Sequence, residues 1–472
     1  MNLTRKTSAL LATLLLVSCA PEITQVSSTN DQKWVSNMPI TGEVAPEAKS
    51  LTIDLTQTRQ TVTGFGACFN ELGWQSLSRL TDAERQTIMK ELFAPNTGAN
   101  FNICRMPLGA NDFSLDWYSY NETEGDFEMK NFSIDNDRKT LIPFIKNAQQ
   151  YNPELEIWAS PWCPPQWLKY NKHYASRSNN HDPRPEVRNN LPVEREGAEG
   201  TDMFIQEEAY LEAYALYFQK FIQAYGEEKI DIFAVMPQNE FNSDQVFPSC
   251  CWTAKGLANF IGKHLGPKME AEGVDVMFGT MERPNHLLVD TIIKDADAGK
   301  YIKGIGFQWA GKQAIAALHK AYPEMPLYQT EQECGNGKND WQGAVYSWSL
   351  MKHYFDNGTS AYMYWNISLD QGGISRWGWA QNSLVVVDPA TKAYQFTNEY
   401  YLLKHLSHYV PAGSKYLALE GDAEALAFLR PDGKVVVMMV EKEGVNRQVN
   451  VTLNGEEKIV TLPANSINTV VL

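Results

Sequence analysis

Acidic, amide and tryptophan side chains follow a series of short β-rich runs, each close to the point where the run ends. The residues at these ends are Arg105, Trp162, Asn239, Glu240, Glu282, Gln308, Trp309, Glu331, Trp365 and Asn366. Two facing carboxyl groups can cleave a glycosidic bond, because one protonates the leaving oxygen while the other attacks the sugar carbon or directs water to it. Flat tryptophan faces suit sugar rings. These residue types predict a glycosidase site if the runs end at one common rim.

The β-rich runs alternate eight times with amphipathic segments between about residues 60 and 400. They cover residues 62–65, 101–106, 155–160, 230–236, 274–278, 302–307, 326–330 and 361–365. Such alternation predicts an α/β fold, a parallel (β/α)8 barrel whose active site lies at the carboxyl ends of the strands. An open doubly wound sheet is the alternative, but Gly64-Phe65-Gly66 lacks the third glycine of the phosphate loop of that fold.

Glu240 and Glu331 follow the fourth and seventh strands, which lie on opposite sides of an eight-strand ring. We therefore predict that they form the catalytic pair. At the seventh strand Glu333 has the same parity as Glu331, and the residues alone leave both open. A single glutamate at a strand end more often pairs with a cation or caps a loop, and a non-catalytic glycan-binding barrel is the alternative of a different class. Two acids among several tryptophans favour an enzyme.

Several other classes of function are disfavoured. The chain has 41 basic and 56 acidic residues, a net charge of −15, which disfavours nucleic acid as a partner. Its eight histidines form no HExxH pattern and its cysteines no CxxC pair, so we predict neither a metal site nor an organic cofactor. No Gly-x-Ser-x-Gly motif supports a serine esterase. We expect a monomer.

The first residues predict export. Arg5 and Lys6 precede an apolar run over residues 10–17 that ends just before Cys19, and the run is too short to span a membrane. This pattern resembles a bacterial lipoprotein signal peptide over residues 1–18, cleaved before Cys19 with lipid attached to its thiol. We therefore expect an exported chain that is anchored to a bacterial membrane, in the periplasm or at the cell surface. The other six cysteines are expected to be buried free thiols, with one disulfide possible.

Composition divides the rest of the chain. Residues 19–50 are rich in Ser, Thr and Asn, which predicts a tether with too few apolar residues to pack. Beyond residue 408, turn signals at residues 431–433 and 454–455 separate short β-rich runs, which indicates an antiparallel β domain. We place the barrel at residues 63–405 and the β domain at residues 406–472, joined by strands over residues 51–62.

From about residue 63 onward the chain resembles glycoside hydrolase family 30, which contains glucosylceramidases, β-1,6-glucanases and related β-glycosidases. The runs that carry the resemblance are Gly64-Phe65-Gly66, Arg105-Met106-Pro107, Asn111-Asp112-Phe113-Ser114, Ala159-Ser160-Pro161-Trp162, Trp167-Leu168-Lys169, Gln238-Asn239-Glu240, Thr330-Glu331 with Gly335, and Tyr364-Trp365-Asn366. It implies a (β/α)8 barrel with an attached β-sandwich and a retaining mechanism, with Glu240 as acid/base. Glu331 would be the nucleophile, because it follows a threonine and precedes a glycine by four positions.

The resemblance also implies binding roles. Asn239 would bind the sugar 2-hydroxyl and Arg105 would orient Glu331 or keep it ionised. Where glucosylceramidases carry an aspartate for sugar hydroxyls soon after the first strand, this chain has Asn70-Glu71, and its strand-six motif is Gln308-Trp309-Ala310. The strand-eight loop adds Trp377 and Trp379. The full set of predicted substrate-binding residues is Arg105, Trp162, Asn239, Trp309, Trp365, Glu71, Asn366 and Trp379.

These patterns together predict a retaining β-glycoside hydrolase that acts on a β-linked glucan polysaccharide or oligosaccharide. We favour an endo-β-1,6-glucanase, because a bacterial lipoprotein is exposed to polysaccharide more often than to sphingolipid. An exo-acting β-glucosidase or glucosylceramidase is the alternative.

Overall fold

The structure, a computed structural model, describes residues 24–472. The predicted signal peptide and Cys19 lie outside these residues. The first strands are β1 (Thr24–Thr29), β2 (Val35–Ser36) and β3 (Lys49–Thr61). β1 pairs antiparallel along its whole length with residues 466–471 near the C-terminus. The side chain of Val26 in β1 is 3% exposed. The prediction of an unpacked tether is therefore wrong for residues 24–29 and 35–36, because a short alternating stretch suffices once the edge of a sheet supplies its hydrogen bonds.

Eight parallel strands close into a barrel. They are β4 (Gly64–Cys68), β5 (Ile103–Pro107), β6 (Glu156–Ser160), β7 (Ile232–Val235), β8 (Asp275–Met281), β9 (Ile302–Gln308), β10 (Leu327–Glu331) and β11 (Thr359–Asn366). β11 pairs with β4 and so completes the ring. Each strand lies at one of the predicted runs, and the predicted (β/α)8 barrel is confirmed.

Helices cover the outside of the barrel. They are α1 (Glu71–Leu77), α2 (Asp82–Phe93), α3 (Leu141–Gln149), α4 (Glu208–Glu227), α5 (Ala254–Phe260), α6 (Gly266–Glu272), α7 (Leu287–Ile293), α8 (Ile315–Ala321), α9 (Trp341–Asp356) and α10 (Asn398–Ser407). A π-helical turn (Ile261–Leu265) joins α5 to α6. Shorter 3₁₀ turns occupy Asp137–Lys139, Gln166–Leu168, Pro185–Val187, Val193–Arg195, Gly299–Tyr301 and Trp309–Ala314. Helix α4 buries one face, with Leu211, Tyr214 and Phe218 at helical spacing.

The interior of the barrel is filled with side chains and leaves no channel for substrate. Ile103, Trp158, Met236 and Met363 belong to one buried cluster inside the ring. At Gly66, a Cβ atom would lie 1.8 Å from the carbonyl oxygen of Ile103, so the close contact between β4 and β5 requires glycine. The chemistry is thus confined to the loops at the carboxyl end of the barrel.

The remaining strands form two further sheets. β12 (Ser368–Asp370), β13 (Val385–Val387) and β14 (Tyr394–Phe396) make a small sheet beside the mouth of the barrel. The large sheet adds β15 (Lys415–Gly421), β16 (Ala425–Leu429), β17 (Val435–Glu441), β18 (Arg447–Leu453), β19 (Glu456–Leu462) and β20 (Ser466–Val471). Its order is β19-β18-β3-β15-β16-β17-β20-β1-β2. Val451 of β18 and Val437 of β17 share one apolar core, so the sheet curls over itself as a sandwich.

Within residues 24–472, no helix is both long and apolar enough to cross a membrane. The six cysteines in this part of the chain are buried free thiols.

Candidate active site

A cavity of about 110 Å³ opens at the carboxyl ends of the barrel strands. Carboxyl, amide and aromatic side chains line it, namely Asp112, Trp162, Glu240, Gln245, Phe247, Glu282, Trp309, Glu331, Trp379 and Gln381. These residues come from the ends of β8 and β10 and from loops that follow other strands. The rim that the strand–helix alternation predicts is therefore present, and four carboxyl groups meet there.

Glu331 is the last residue of β10 and is 4% exposed. Its Oε2 accepts hydrogen bonds from Arg105 Nη1 at 2.9 Å and from Gln308 Nε2 at 3.2 Å. The indole nitrogen of Trp309 donates to Oε1 at 3.0 Å. Three donors, one of them a cation, therefore hold this carboxyl group in one orientation.

Glu240 lies in the turn after β7, where its backbone adopts a left-handed conformation with φ 46°. Its backbone nitrogen donates to Thr280 Oγ1 at 3.0 Å. Gln308 Nε2 donates to Oε1 at 3.0 Å, and Gln245 Nε2 donates to Oε2 at 3.3 Å. Both donors are neutral amides, in contrast to the guanidinium that holds Glu331.

The amide of Gln308 bridges the two glutamates. Because one nitrogen contacts an oxygen of each carboxyl group at 3.0 Å and 3.2 Å, these two oxygens lie no more than about 6 Å apart. Retaining glycosidases separate their carboxyl groups by about 5–5.5 Å, whereas inverting enzymes need about 6.5–9.5 Å to admit a water molecule. The bridge therefore favours the retaining arrangement.

The two glutamates differ in how easily they ionise. Burial raises the pKa of Glu240 well above its usual range, and the negative fields of Glu282 and Glu331 raise it further. Burial also raises the pKa of Glu331, but Arg105 and the indole of Trp309 oppose that rise. The pKa of Glu240 is therefore raised further than that of Glu331, which favours the proton on Glu240.

A buried layer beneath the cavity holds Glu331 and Asn239 in place. Arg105 is fully buried, and its Nη2 donates to Asn239 Oδ1 at 2.7 Å. The guanidinium lies 4.2 Å from the ring centre of Trp162, which stacks against Trp365 at 5.4 Å. Trp162 lines the cavity, whereas Arg105, Asn239 and Trp365 lie behind its wall.

The remaining predicted binding residues also fall into those that line the cavity and those that lie outside it. Trp309 and Trp379 line the cavity. Asn366 is fully buried and donates to Gln381 Oε1 at 3.1 Å, so it supports the strand-eight loop. Glu71 does not line the cavity. Its carboxylate accepts hydrogen bonds from Leu115 N, Asn136 Nδ2 and Thr140 Oγ1 and so ties loops together.

Glu333 is held outside the cavity. Its carboxylate pairs with Lys312 Nζ at 2.5 Å and accepts a hydrogen bond from the Tyr346 hydroxyl at 2.5 Å. The parity that leaves Glu331 and Glu333 open in the sequence is therefore resolved, since only Glu331 lines the cavity with Glu240.

Sequence reasoning missed several cavity residues. Asp112 is 5% exposed, and its Oδ1 is buried without a hydrogen-bond partner among the described residues. Burial raises its pKa well above the usual range, and the charge of Glu331 adds to that rise. It lies in the 111–114 run that carries the family resemblance, so a signal for it existed. Gln245, Phe247 and Gln381 lie in loops that strand periodicity does not reach.

Comparison with known proteins assigns the family. The TIM-barrel domain of glycosyl hydrolase family 30 matches residues 62–181 and 194–410, and the β-sandwich domain of that family matches residues 413–470. The chain belongs to glycosyl hydrolase family 30. It is a glycoside hydrolase with the barrel and sandwich that the sequence predicts.

Proteins similar to this chain are named for different activities. The lysosomal acid glucosylceramidase of Mus musculus is 28% identical over 424 residues, covering 83% of this chain and 77% of that protein. The endo-1,6-beta-D-glucanase neg1 of Aspergillus fumigatus is 26% identical over 461 residues, covering 92% and 90%. The solved structure of the endo-beta1,6-glucanase BT3312 superposes with a TM-score of 0.79 at 22% identity, covering 95% of this chain and 99% of that chain.

A buried carboxyl group supports the loops around the cavity. Glu399 of α10 is 1% exposed and accepts hydrogen bonds from Ser347 Oγ at 2.9 Å and Asn382 Nδ2 at 2.8 Å. The Asn382 oxygen in turn accepts from the backbone nitrogens of Gly337 and Asn339. Burial raises the pKa of Glu399 to about 7.

Glu331→Gln and Glu240→Gln should each lower kcat on a β-glycoside that the parent hydrolyses, by about 10³-fold or more for Glu331, because the nucleophile or the proton donor is removed. Glu333→Gln is the matched control and should keep activity near the parent level, since its carboxyl group lies outside the cavity. Steady-state kinetics measure these changes. Full activity in Glu331→Gln, or a comparable loss in Glu333→Gln, would contradict the assignment.

Glu399→Gln should flatten the dependence of stability on pH. In the parent the unfolded chain ionises this group from about pH 4.5 upward, while the folded chain keeps its proton to about pH 7. Unfolding therefore becomes easier as pH rises through this window, by about 3 kcal/mol for a shift of this size. Thermal unfolding between pH 4.5 and 7.5 measures the slope, and an unchanged slope in the variant would contradict the role of Glu399.

Proposed function

We propose that this chain is a retaining β-glycoside hydrolase that cleaves β-linked glucan, as an endo-β-1,6-glucanase. The observation that carries the proposal is the amide of Gln308, which contacts both Glu240 and Glu331. It holds one oxygen of each within about 6 Å of the other, closer than the carboxyl groups of an inverting pair. The two glutamates also differ in environment as a double displacement requires, since only Glu331 contacts a cation.

The reaction follows from this geometry. Glu331 attacks the anomeric carbon while Glu240 gives its proton to the leaving oxygen, which breaks the glycosidic bond and forms a covalent glycosyl-enzyme. Glu240, now ionised, takes a proton from water, whose oxygen attacks the anomeric carbon and releases Glu331. Arg105 and Trp309 stabilise the carboxylate of Glu331 before attack and after release.

The choice of glucan rests on the relatives and on the strand-eight loop. The A. fumigatus endo-1,6-glucanase aligns with 92% of this chain, whereas the glucosylceramidase relatives align with 83% to 89%. The loop adds Trp379, whose side chain is 43% exposed at the wall of the cavity and offers a face for a further sugar unit. The alternative is an exo-acting β-glucosidase or glucosylceramidase, which the identity to the mouse enzyme supports.

The proposed location of the enzyme is a bacterial membrane surface, to which lipid on Cys19 attaches it. The support is in the sequence alone: basic residues, a short apolar run and small residues before a cysteine.

Product analysis tests the substrate. The mature chain, incubated with linear β-1,6-glucan, should release oligosaccharides of mixed length whose new reducing ends first have the β configuration, because two inversions restore the starting configuration. Chromatography gives the lengths and time-resolved NMR the anomer, with Glu331→Gln as the blank. Glucose as the sole product would favour the exo-acting alternative, and α-anomers would refute retention.

Cys19→Ser should abolish lipid attachment in a bacterial host. The parent is expected to incorporate labelled fatty acid and to partition into detergent, because acyl chains bury their methylene groups in the micelle. The variant should do neither, while a Cys163→Ser control, at a buried thiol of the barrel, should still be labelled. Equal labelling of parent and Cys19→Ser would exclude the anchor.

A further inference from the structure

The two oxygens of Glu240 face different surroundings. Oε1 is turned toward Gln308 and the nucleophile, while Oε2 contacts Gln245. Gln245 Nε2 also donates to Ser243 Oγ at 2.6 Å, and Ser243 Oγ accepts from Arg283 Nη2 at 3.3 Å. Because the acid delivers its proton to the leaving oxygen, the groups on the side of Glu240 away from the nucleophile face the leaving group.

A third carboxyl group is fixed on this side. Glu282 lines the cavity at the end of β8 and is 8% exposed. Arg283 forms an ion pair with it and a second one with Glu199, which lies in the long segment between β6 and α4. Burial raises the pKa of Glu282, but Arg283 opposes that rise. The pair therefore holds a hydrogen-bond acceptor in place beside the acid.

Aromatic side chains complete the same wall. Trp379 and Phe247 both line the cavity, and their ring centres lie 6.4 Å apart in an edge-to-face arrangement. Trp379 is 43% exposed and sits in a short hairpin in which Ile374 pairs with Ala380. Its backbone nitrogen donates to Ser375 Oγ at 3.0 Å. The hairpin thus presents a supported, accessible indole at the wall of the cavity that Glu282 also lines.

We propose that Glu282, Gln245, Phe247 and Trp379 form a binding site for the leaving group and that this site selects a sugar over a lipid. The inference rests on the proposed glycosidase function and adds the residues that select its leaving group. A sugar offers several hydroxyl donors to Glu282 and a ring face to Trp379. A ceramide offers few donors, and its chains would desolvate the carboxylate without replacing the lost hydrogen bonds.

The charged and titratable groups around Glu240 affect both its protonation and the binding of a leaving group. Glu331 and Asp112 lie on the nucleophile side, Glu282 and Arg283 on the leaving-group side, and Arg105 beneath. Removing the charge of Glu282 therefore changes the field at Glu240 as well as the binding of a leaving group. An effect through Glu240 lowers rates for every leaving group that needs protonation, whereas an effect through binding depends on the leaving group itself.

The test compares kcat/KM for two substrates with the same reacting sugar, a β-1,6-linked gluco-oligosaccharide and methyl β-glucoside, whose leaving group has neither a ring face nor further hydroxyl groups. In Glu282→Gln and in Trp379→Ala, the ratio of kcat/KM for the oligosaccharide to that for the methyl glucoside should fall about tenfold or more, the effect of one hydrogen bond to a charged group or one lost stacking surface. Trp379→Phe should restore part of the ratio. Glu333→Gln, a carboxyl group outside the cavity, should leave the ratio unchanged.

Each other outcome overturns the inference in a distinct way. An equal loss on both substrates in Glu282→Gln and Trp379→Ala would mean that these residues act through Glu240 or through folding. A parent that hydrolyses glucosylceramide and the methyl glucoside but not the oligosaccharide would refute both the selection of a sugar and the β-1,6-glucanase assignment, while the glycoside hydrolase activity stands. A parent that hydrolyses no β-glycoside would refute the proposed function itself, and the inference with it.

Discussion

The ion pair between Arg105 and Glu331 is the interaction on which the site depends. Arg105 is fully buried, and its Nη1 lies 2.9 Å from Glu331 Oε2. A buried guanidinium lowers the stability of the fold unless hydrogen-bond acceptors and packed rings replace its lost water. Removal of one partner of a buried ion pair lowers the free energy of unfolding by about 3–5 kcal/mol. Here Ser160, Asn239 and Glu331 accept its hydrogen bonds. One cation thus fixes side chains from the ends of three strands.

Aromatic rings surround the Arg105 guanidinium where it makes no hydrogen bonds. Trp158, Trp162 and Trp365 place their ring centres 5.0 Å, 4.2 Å and 5.7 Å from the Arg105 guanidinium. Such contacts stabilise a desolvated cation. The tryptophans predicted at the strand ends therefore serve two purposes, since Trp162 lines the cavity, whereas Trp365 lies behind it against Trp162. Residue type and position at a strand end do not distinguish a tryptophan that lines the cavity from one that supports the lining, because both kinds of tryptophan are large, flat and buried.

The barrel, and the presence of acidic side chains from the fourth and seventh strands at its rim, could be predicted from strand periodicity, whereas the choice of Glu331 over Glu333 needed the family resemblance. A side chain at the end of a parallel strand must reach the same rim as its counterparts, and Glu240 and Glu331 do so. Glu71 shows the limit of that reasoning, since it begins a helix and its carboxylate is used by neighbouring loops. Residues 24–29 show a second limit, because the edge strand that pairs with them is more than 400 residues away. Contacts that join distant segments leave no local pattern.

The loops around the cavity, rather than the barrel, must decide which glycoside is cleaved. The hydrogen-bonding groups of the buried layer, Arg105, Asn239 and Gln308, contact one another and the two glutamates. They therefore have few groups left with which to distinguish one sugar from another. The long segment between β6 and α4 and the strand-eight loop hold each other in place, since Arg376 donates to the Glu186 carbonyl at 2.6 Å and Trp377 packs near Tyr174. Substitutions there can change the cavity wall without disturbing Arg105. A family that keeps the buried layer and varies these two loops can therefore keep its chemistry while its substrate changes.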